Sequence, residues 1–260
     1  MSIKKPYYRM FRPDKQSYRY FGDYVIDHRN ILDWSSPIRA FDLIIGDFKK
    51  VCEYIDPSDD NCAVYSHRLY ELFIRSCTEL ESNMKAILNA NGYKTKTKIA
   101  GIQRLNINDY KKLETALKLS EYQVIINFWN NGRGSKHAPF QNWANGESGN
   151  LVWYQDYNYV KHDRDGKFHL ASLENLISSI CGLFVILFSQ YGVQVFNPYQ
   201  KVESYDSWDK TIYEKSSIFS IIPPVWQDGE EYDFNWDIIS KQKDPFVRFK
   251  SFDGKSKNKR

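Results

Sequence analysis

Residues 168–191, FHLASLENLISSICGLFVILFSQY, constrain the fold more than any other part of the chain. A helix drawn through them is apolar on nearly every side, at Leu173, Leu176, Ile177, Ile180, Leu183, Phe184, Ile186, Leu187 and Phe188. Such a helix must be buried at the centre of a fold or in a membrane. The longest apolar run, ICGLFVILF, has nine residues, about half of what a bilayer requires. The first residues, MSIKKPYYRMFRP, lack the apolar core of a signal peptide. We therefore expect the central helix of a cytoplasmic protein with no membrane association.

Helical periodicity predicts further helices around this one. The first covers about residues 36–55, with Ser36 as its cap and Pro37 in the first turn. A longer helix covers about 62–89, and Gly92 provides the turn that ends it. A short helix follows, capped by Asn108 or Asp109.

The segment YQVIINFW, residues 122–129, is the best strand candidate, and we expect it to pair with the aromatic C-terminal segments. The predicted fold class is mainly α, a helical bundle with a small β element. The predicted organisation is an N-terminal aromatic arm at 1–36, a helical domain at 37–195, and a C-terminal wrap with a basic tail at 196–260.

The net charge of +4 is concentrated at the two ends of the chain. Residues 1–20 sum to +5 and the last six residues to +4, so residues 21–254 sum to about −5. This distribution excludes the global basic field of a dedicated duplex-binding protein. It leaves open either a local nucleic-acid patch or solubilising ends.

No metal or cofactor site is predicted from the sequence. The four cysteines have no CxxC spacing, and Cys77 and Cys181 fall at apolar helical positions, as buried free thiols do. The HExxH, GxSxG and GxGxxG motifs do not occur.

The segment WYQDYNYVKHDR, residues 153–164, carries the main candidate site. Asn158, Lys161 and His162 have the spacing that puts side chains on one face of a helix. A histidine transfers protons near neutral pH, and lysine or arginine stabilises charge on phosphate oxygens. These are the groups that metal-independent RNA cleavage requires, because RNA supplies its own 2′-hydroxyl nucleophile. The alternative is a polar helix start with a surface histidine.

Two further clusters each have two interpretations. Arg68, Glu71, Arg75 and Glu79 follow helical steps, either as ion pairs on a solvated face or as a row that faces His162 across a groove. In FWNNGRGSKHAPF, residues 128–140, Arg133, Lys136 and His137 lie on a Gly-rich loop that either grips a phosphate or is a plain surface loop.

The motif YNYVKHDR, followed by the apolar helix and preceded by the helix YELFIRSCTELESNMK, resembles the HEPN superfamily over about residues 40–192. Those domains are helical, are common in bacterial phage-defence and toxin–antitoxin systems, and include many metal-independent ribonucleases. Their hallmark is Arg, often followed by Asn, then His after four to six residues. Asn158 and His162 match this pattern, Tyr157 occupies the Arg place, and Arg164 lies two residues beyond the His.

The resemblance implies RNA binding and metal-independent RNA cleavage without a cofactor, together with homodimerisation and a cognate antitoxin or defence partner. It implies catalytic roles for His162, Asn158 and Arg164. The residues expected to contact RNA phosphate are Lys161, Tyr157, Arg75 and Arg133, supported by Glu71 and Glu79. The alternative is a non-catalytic helical module that binds a partner protein or a small ligand. A catalytic His162 should lie in a cleft with a charged residue of the 71–79 row nearby.

Overall fold

A computed structural model of the protein describes residues 3–15, 23–27, 33–99, 102–129, 135–148, 150–196, 205–206, 211–213 and 218–253. Its α-helices are α1 (Asp23–Ile26), α2 (Ser35–Cys52), α3 (His67–Ala90), α4 (Ile107–Tyr110), α5 (Leu113–Leu117), α6 (Val152–His162), α7 (Arg164–Lys167), α8 (Leu173–Tyr191) and α9 (Trp236–Ile239). Its strands are β1 (Lys98–Ile99), β2 (Ile102–Gln103), β3 (Gln123–Ile126), β4 (Lys136–His137), β5 (Tyr205–Asp206), β6 (Thr211–Tyr213) and β7 (Phe219–Ile222). The chain is mainly α with a small β element, as predicted.

The apolar stretch forms α8, and this helix is the centre of the core. It begins where the Ser172 hydroxyl accepts a hydrogen bond from the backbone N–H of Asn175 at 3.3 Å. It ends at Gly192, whose φ of +71° places it in the left-handed region that favours glycine. By length and composition α8 could cross a membrane, but 83% of its most apolar window is buried inside this fold. Its position is therefore that of a core helix.

Three helices surround α8 and run in alternating directions. α3 is parallel to α8, because Tyr65 pairs with Ser172 before the two helices begin and Gln190 donates a hydrogen bond to Asn83 near their other ends. α2 is antiparallel to α3 and stacks Phe41 on α8. α6 is also antiparallel to α3, with its first turns beside the C-terminal half of α3. The four helices form a bundle.

The predicted strand pairing is confirmed. β3 pairs antiparallel with β7, with Val124 opposite Ile221, in a sheet whose strand order is β4-β3-β7-β6-β5. Val124, Ile126, Phe219 and Ile221 are buried, and the Phe219 ring stacks on Phe184 of α8 at 5.8 Å. The sheet therefore covers a side of α8 that the helices leave open.

The two ends of the chain join the same core. Ile3 and Tyr7 form parallel bridges with Tyr232 and Val247, and Phe11 donates a backbone hydrogen bond to Ser189 of α8 at 2.8 Å. Met10 and Phe11 are buried. The division of the chain at residues 36 and 195 remains a prediction, but the described parts of both ends pack as core segments.

Arg12 fastens the N-terminal segment to two distant parts of the chain. Its guanidinium donates hydrogen bonds to the carbonyl oxygens of Ala116 at 2.8 Å and Glu230 at 3.0 Å, and lies 4.5 Å from the centre of the Trp226 ring. The residue is only 6% exposed. Carbonyl oxygens and an aromatic face replace part of the water that the buried guanidinium loses, while its Nε has no hydrogen-bond partner among the described residues.

Helix ends were predicted less well than helix interiors. The Gly92 turn is confirmed, with φ at +77°. The Ser36 cap is wrong, because α2 already begins at Ser35 and Trp34 occupies the cap position. Asn106 caps α4, in place of Asn108 or Asp109. Several polar residues stand next to each other before each helix, and periodicity alone does not choose between them.

Gly182 of α8 packs closely against α3 and α6, and enlarging it should destabilise the fold. A Cβ at this position would lie 3.1 Å from Leu80 and 3.4 Å from Trp153. We expect Gly182→Leu to lower the free energy of unfolding by about 1–3 kcal/mol through overpacking. The measurement is urea denaturation followed by circular dichroism.

The matched control is Gly46→Leu on α2, where a Cβ meets no atom within 4 Å. This variant should be neutral or more stable, since glycine inside a helix costs about 0.5–1 kcal/mol. Equal stability of the two variants would contradict the packing at Gly182.

Candidate functional site

Asn158, Lys161 and His162 share one face of α6, as their spacing predicts, and this face lines a groove of about 890 Å³. We call it the α6 groove. Its other walls come from the second half of α3, the segment 93–106 and α4. The lining residues are Glu81, Lys85, Asn89, Tyr93, Lys94, Thr95, Arg104, Leu105, Asn106, Ile107, Tyr110, Tyr154, Asn158, Lys161 and His162.

Buried tyrosines form the floor of the α6 groove. Tyr154 is 5% exposed, and its hydroxyl donates a hydrogen bond to Glu81 at 2.6 Å. Burial raises the pKa of Tyr154 and of Tyr110, and the negative charge of Glu81 raises each pKa further. Both phenols therefore remain neutral at physiological pH. The neutral Tyr154 hydroxyl holds the Glu81 carboxylate at the base of the groove.

Tyr157 lies beneath α6 and supports Lys161. The Tyr157 ring is fully buried against Phe73, and its hydroxyl accepts a hydrogen bond from the Lys161 ammonium at 3.0 Å. Desolvation lowers the pKa of Lys161, but the hydrogen bond to Tyr157 and the charge of Glu81 outweigh it, so the net shift is upward. Lys161 is thus a permanent positive charge at neutral pH and a poor proton donor.

The charges that line the α6 groove are mainly positive. Lys85, Lys94, Arg104 and Lys161 are cations, and Glu81 is the carboxylate of the lining. Counting four positive charges against one negative charge gives +3, before any protonation of His162. Glu81 also lies 3.8 Å from Lys85, at an i, i+4 spacing on α3. The groove therefore attracts anions.

A buried carboxylate holds the wall opposite α6. Asp109 is 5% exposed and accepts hydrogen bonds from the hydroxyls of Tyr93 at 2.6 Å and Thr95 at 2.9 Å. It also accepts one from the backbone N–H of Asn106 at 2.9 Å, which completes a capping box at the start of α4. Because three donors converge on Asp109, the segment that carries Lys94 and Arg104 is fixed to α4.

His162 is the last residue of α6 and is exposed at the edge of the groove. Asn158 lies one turn earlier, where its amide donates a hydrogen bond to the carbonyl oxygen of Tyr154 at 3.0 Å. His162 lies at the edge of a groove, as expected of a catalytic residue. The charged residues of α3 in the lining are Glu81 and Lys85, and both come after the 71–79 row.

Two residues of the motif lie away from the groove surface. Tyr157 is in the core and does not line the groove. Arg164 lies beyond the end of α6, exposed, with its guanidinium 5.8 Å from the Tyr70 ring and 4.0 Å from Asp165. The structure therefore groups Asn158, Lys161 and His162, and separates Arg164 from them.

Three residues of the charged row on α3, namely Arg68, Glu71 and Arg75, line a different groove of about 580 Å³ between α2 and α3. Arg75 forms an ion pair with Asp47 of α2 at 2.7 Å, and Glu71 pairs with Arg68 at 2.8 Å. Glu79 is half-buried. The interpretation that this row faces His162 is therefore wrong for Arg68, Glu71 and Arg75. Arg75 pairs with α2, and Arg68 pairs with Glu71 on the exposed face of α3. Arg133 lies outside the described residues, as does the basic tail at 255–260.

Four charged lining residues were missed in the sequence: Glu81, Lys85, Lys94 and Arg104. A signal was present, since residues 85–106 contain five cations and no Asp or Glu. The run is not visible in the summed charge of residues 21–254, because acidic residues elsewhere in that range outweigh it.

Among the residues that the structure describes, no group of three or more His, Cys, Asp or Glu side chains is placed to hold a metal ion. Comparison of the chain with protein-family models, with curated proteins and with solved structures gives no match. Any functional conclusion therefore depends on the groove itself.

The Tyr157–Lys161 contact predicts a measurable change in one lysine. Tyr157→Phe removes the acceptor, so we expect the pKa of Lys161 to fall and the free energy of unfolding to decrease by about 1 kcal/mol. NMR titration of 13C-labelled lysine Cε signals gives the pKa, and urea denaturation at pH 7 gives the stability.

Tyr159→Phe on the exposed side of the same helix is the control and should change neither quantity. An unchanged Lys161 pKa in Tyr157→Phe would show that the hydroxyl does not hold the ammonium.

Proposed function

We propose that the protein binds single-stranded RNA in the α6 groove. The observation that carries this proposal is the lining of four cations against one carboxylate, on a rigid floor of neutral tyrosines. Phosphate groups are the anions that such a lining suits, because lysine and arginine bind phosphate oxygens through charge-assisted hydrogen bonds. Such contacts between cations and phosphate groups supply most of the affinity of proteins for nucleic acids.

The size of the groove favours a strand over a single anion. Its volume of about 890 Å³ is near the upper end of the roughly 300–1,000 Å³ of small-molecule pockets. Its cations come from α3, the segment 93–106 and α6, so they are spread along the groove. The backbone of one strand, which carries several phosphates, suits these distributed charges.

The same site has the groups for metal-independent cleavage, with His162 as the general base. His162 would take the proton of a ribose 2′-hydroxyl, whose oxygen then forms a bond to the adjacent phosphorus while the bond from phosphorus to the 5′ oxygen breaks. Lys161 would stabilise the negative charge on the phosphate oxygens. The leaving 5′ oxygen takes a proton from water, which reaches the exposed edge of the groove. The products are a 2′,3′-cyclic phosphate and a 5′-hydroxyl.

A second candidate function is RNA binding without cleavage. Tyr157 stands at the place of the hallmark Arg and is buried, and Arg164 packs near Tyr70. Lys161 would then be the only permanent cation beside His162 on α6. A groove that binds a strand and does not cut it is consistent with the helical binding module that the sequence also allows.

The HEPN-like motif supports a role in a bacterial phage-defence or toxin–antitoxin system, in which the protein acts on RNA in the cytoplasm. Induced expression of the wild type beside His162→Ala tests this role through growth and total RNA integrity. Growth arrest with RNA fragmentation in the wild type alone supports a ribonuclease effector. Harmless expression of both favours the binding module.

The biochemical test separates binding from cleavage. We expect Lys85→Gln/Arg104→Gln to weaken binding of single-stranded RNA and to reduce the slope of log Kd against log salt by about 1.4, since each lost contact to a single strand contributes about 0.7. We expect His162→Ala to retain binding and to slow cleavage by about 10²–10⁴-fold, with or without EDTA. Fluorescence anisotropy and gel analysis of end-labelled RNA measure the two effects.

His169→Ala is the matched control for the histidine, because His169 is exposed and lies outside the lining of the α6 groove. RNA binding that does not depend on salt, or that survives Lys85→Gln/Arg104→Gln unchanged, would exclude the groove. Cleavage that is lost equally in His169→Ala would remove His162 from the proposed chemistry.

A further inference from the structure

A row of lysines leads away from the α6 groove along the segment 94–98. The exposed residues are Lys94, Lys96 and Lys98, and they alternate with Thr95 and Thr97. Thr95 is buried and donates to Asp109, so the chain is held with its threonines facing inward and its lysines facing solvent. This is the period of two that extended chains have. We call Lys94, Lys96 and Lys98 the lysine ladder.

The ladder is continuous with the groove. Lys94 belongs to the groove lining, while Lys96 and Lys98 continue beyond it towards the β1–β2 hairpin. The hairpin returns to the groove at Arg104, whose backbone N–H bonds to the carbonyl oxygen of Thr97 at 3.2 Å. The residues from 85 to 106 contain no acidic side chain, so the ladder is not neutralised by its own segment.

The spacing of the ladder suits a polyanionic strand. Alternate residues of an extended chain are about 6.6 Å apart, at roughly 3.3 Å per residue. This is comparable to the separation of successive phosphates in an extended nucleic-acid strand. Each lysine can therefore face one phosphate in turn. Lys94, at the groove end of the row, is where the strand would enter the groove.

We infer that the lysine ladder is a track for the sugar–phosphate backbone of a single-stranded RNA whose adjoining nucleotides occupy the α6 groove. This inference rests on the proposed function and makes it more specific. The substrate is a strand that extends beyond the groove, and neither a mononucleotide nor a duplex satisfies both parts of the site. A flat lipid surface could meet the ladder but cannot enter the groove, so the continuity of the two favours RNA.

The test removes the part of the ladder that lies outside the groove. Lys96→Gln/Lys98→Gln leaves Lys94 and all other lining residues intact. It is compared with Lys241→Gln/Lys243→Gln, two exposed lysines with the same spacing outside the groove lining. All proteins carry His162→Ala so that RNA remains uncut. Binding of 4-nucleotide and 16-nucleotide oligouridine is measured by fluorescence anisotropy across a salt series.

We expect Lys96→Gln/Lys98→Gln to weaken binding of the 16-mer and to reduce its salt slope by about 1.4, for two contacts of about 0.7 each. Binding of the 4-mer, which the groove alone holds, should not change. The Lys241→Gln/Lys243→Gln control should behave as the parent protein with both RNAs.

Other results overturn the inference in distinguishable ways. If the 16-mer binds Lys96→Gln/Lys98→Gln as tightly as the parent, the ladder is not a track, and the proposed RNA groove still stands. If the parent binds neither RNA, the proposed function fails together with the ladder. If the parent instead binds phosphatidylserine vesicles and Lys96→Gln/Lys98→Gln does not, the ladder belongs to a lipid-binding surface.

Discussion

A helix that is apolar on every side must be shielded from water around its whole circumference, because burial of each Leu, Ile or Phe side chain contributes about 1.5–3 kcal/mol. α8 imposes this condition on the rest of the chain. α3, α2 and α6 cover three of its sides, the sheet covers another through Phe219, and Phe11 from the N-terminal segment covers its end at Gly192. The architecture is the arrangement that encloses this one helix.

The candidate site depends on the same condition. α6 is held by its buried face, where Trp153, Tyr157 and Val160 pack into the core, and its opposite face is left to carry polar side chains. Because Tyr157 is in the core, its hydrogen bond fixes the position of Lys161. On the opposite wall, the hydrogen bonds of Asp109 fix the position of Tyr93, Thr95 and Asn106. The cations of the groove are thus carried by segments that hydrogen bonds and packing join to the core.

Helices and the strand β3 could be predicted from the sequence because each depends on local periodicity. α8, α3 and the Gly92 turn follow from residue spacing, and so does the shared face of Asn158, Lys161 and His162. Which helix face meets which neighbour does not follow from spacing within one helix. The pairing of Arg75 with Asp47 rather than along α3 is an example, and the burial of Tyr157 beneath Lys161 is another. Glu81 and Lys85 became part of the site only because α6 runs antiparallel to α3 and places Tyr154 beside Glu81.

The pairing of the two chain ends has a consequence for the order in which the protein can fold during synthesis. Tyr7 pairs with Val247, and Arg12 donates to the Glu230 carbonyl, so their partners are synthesised more than 200 residues after them. Contacts of such long sequence separation form slowly. Tyr7 and Arg12 therefore lack these partners until residues 230–247 have left the ribosome. During that interval the apolar side chains of the N-terminal segment are exposed to association with other molecules, as in any incompletely folded chain.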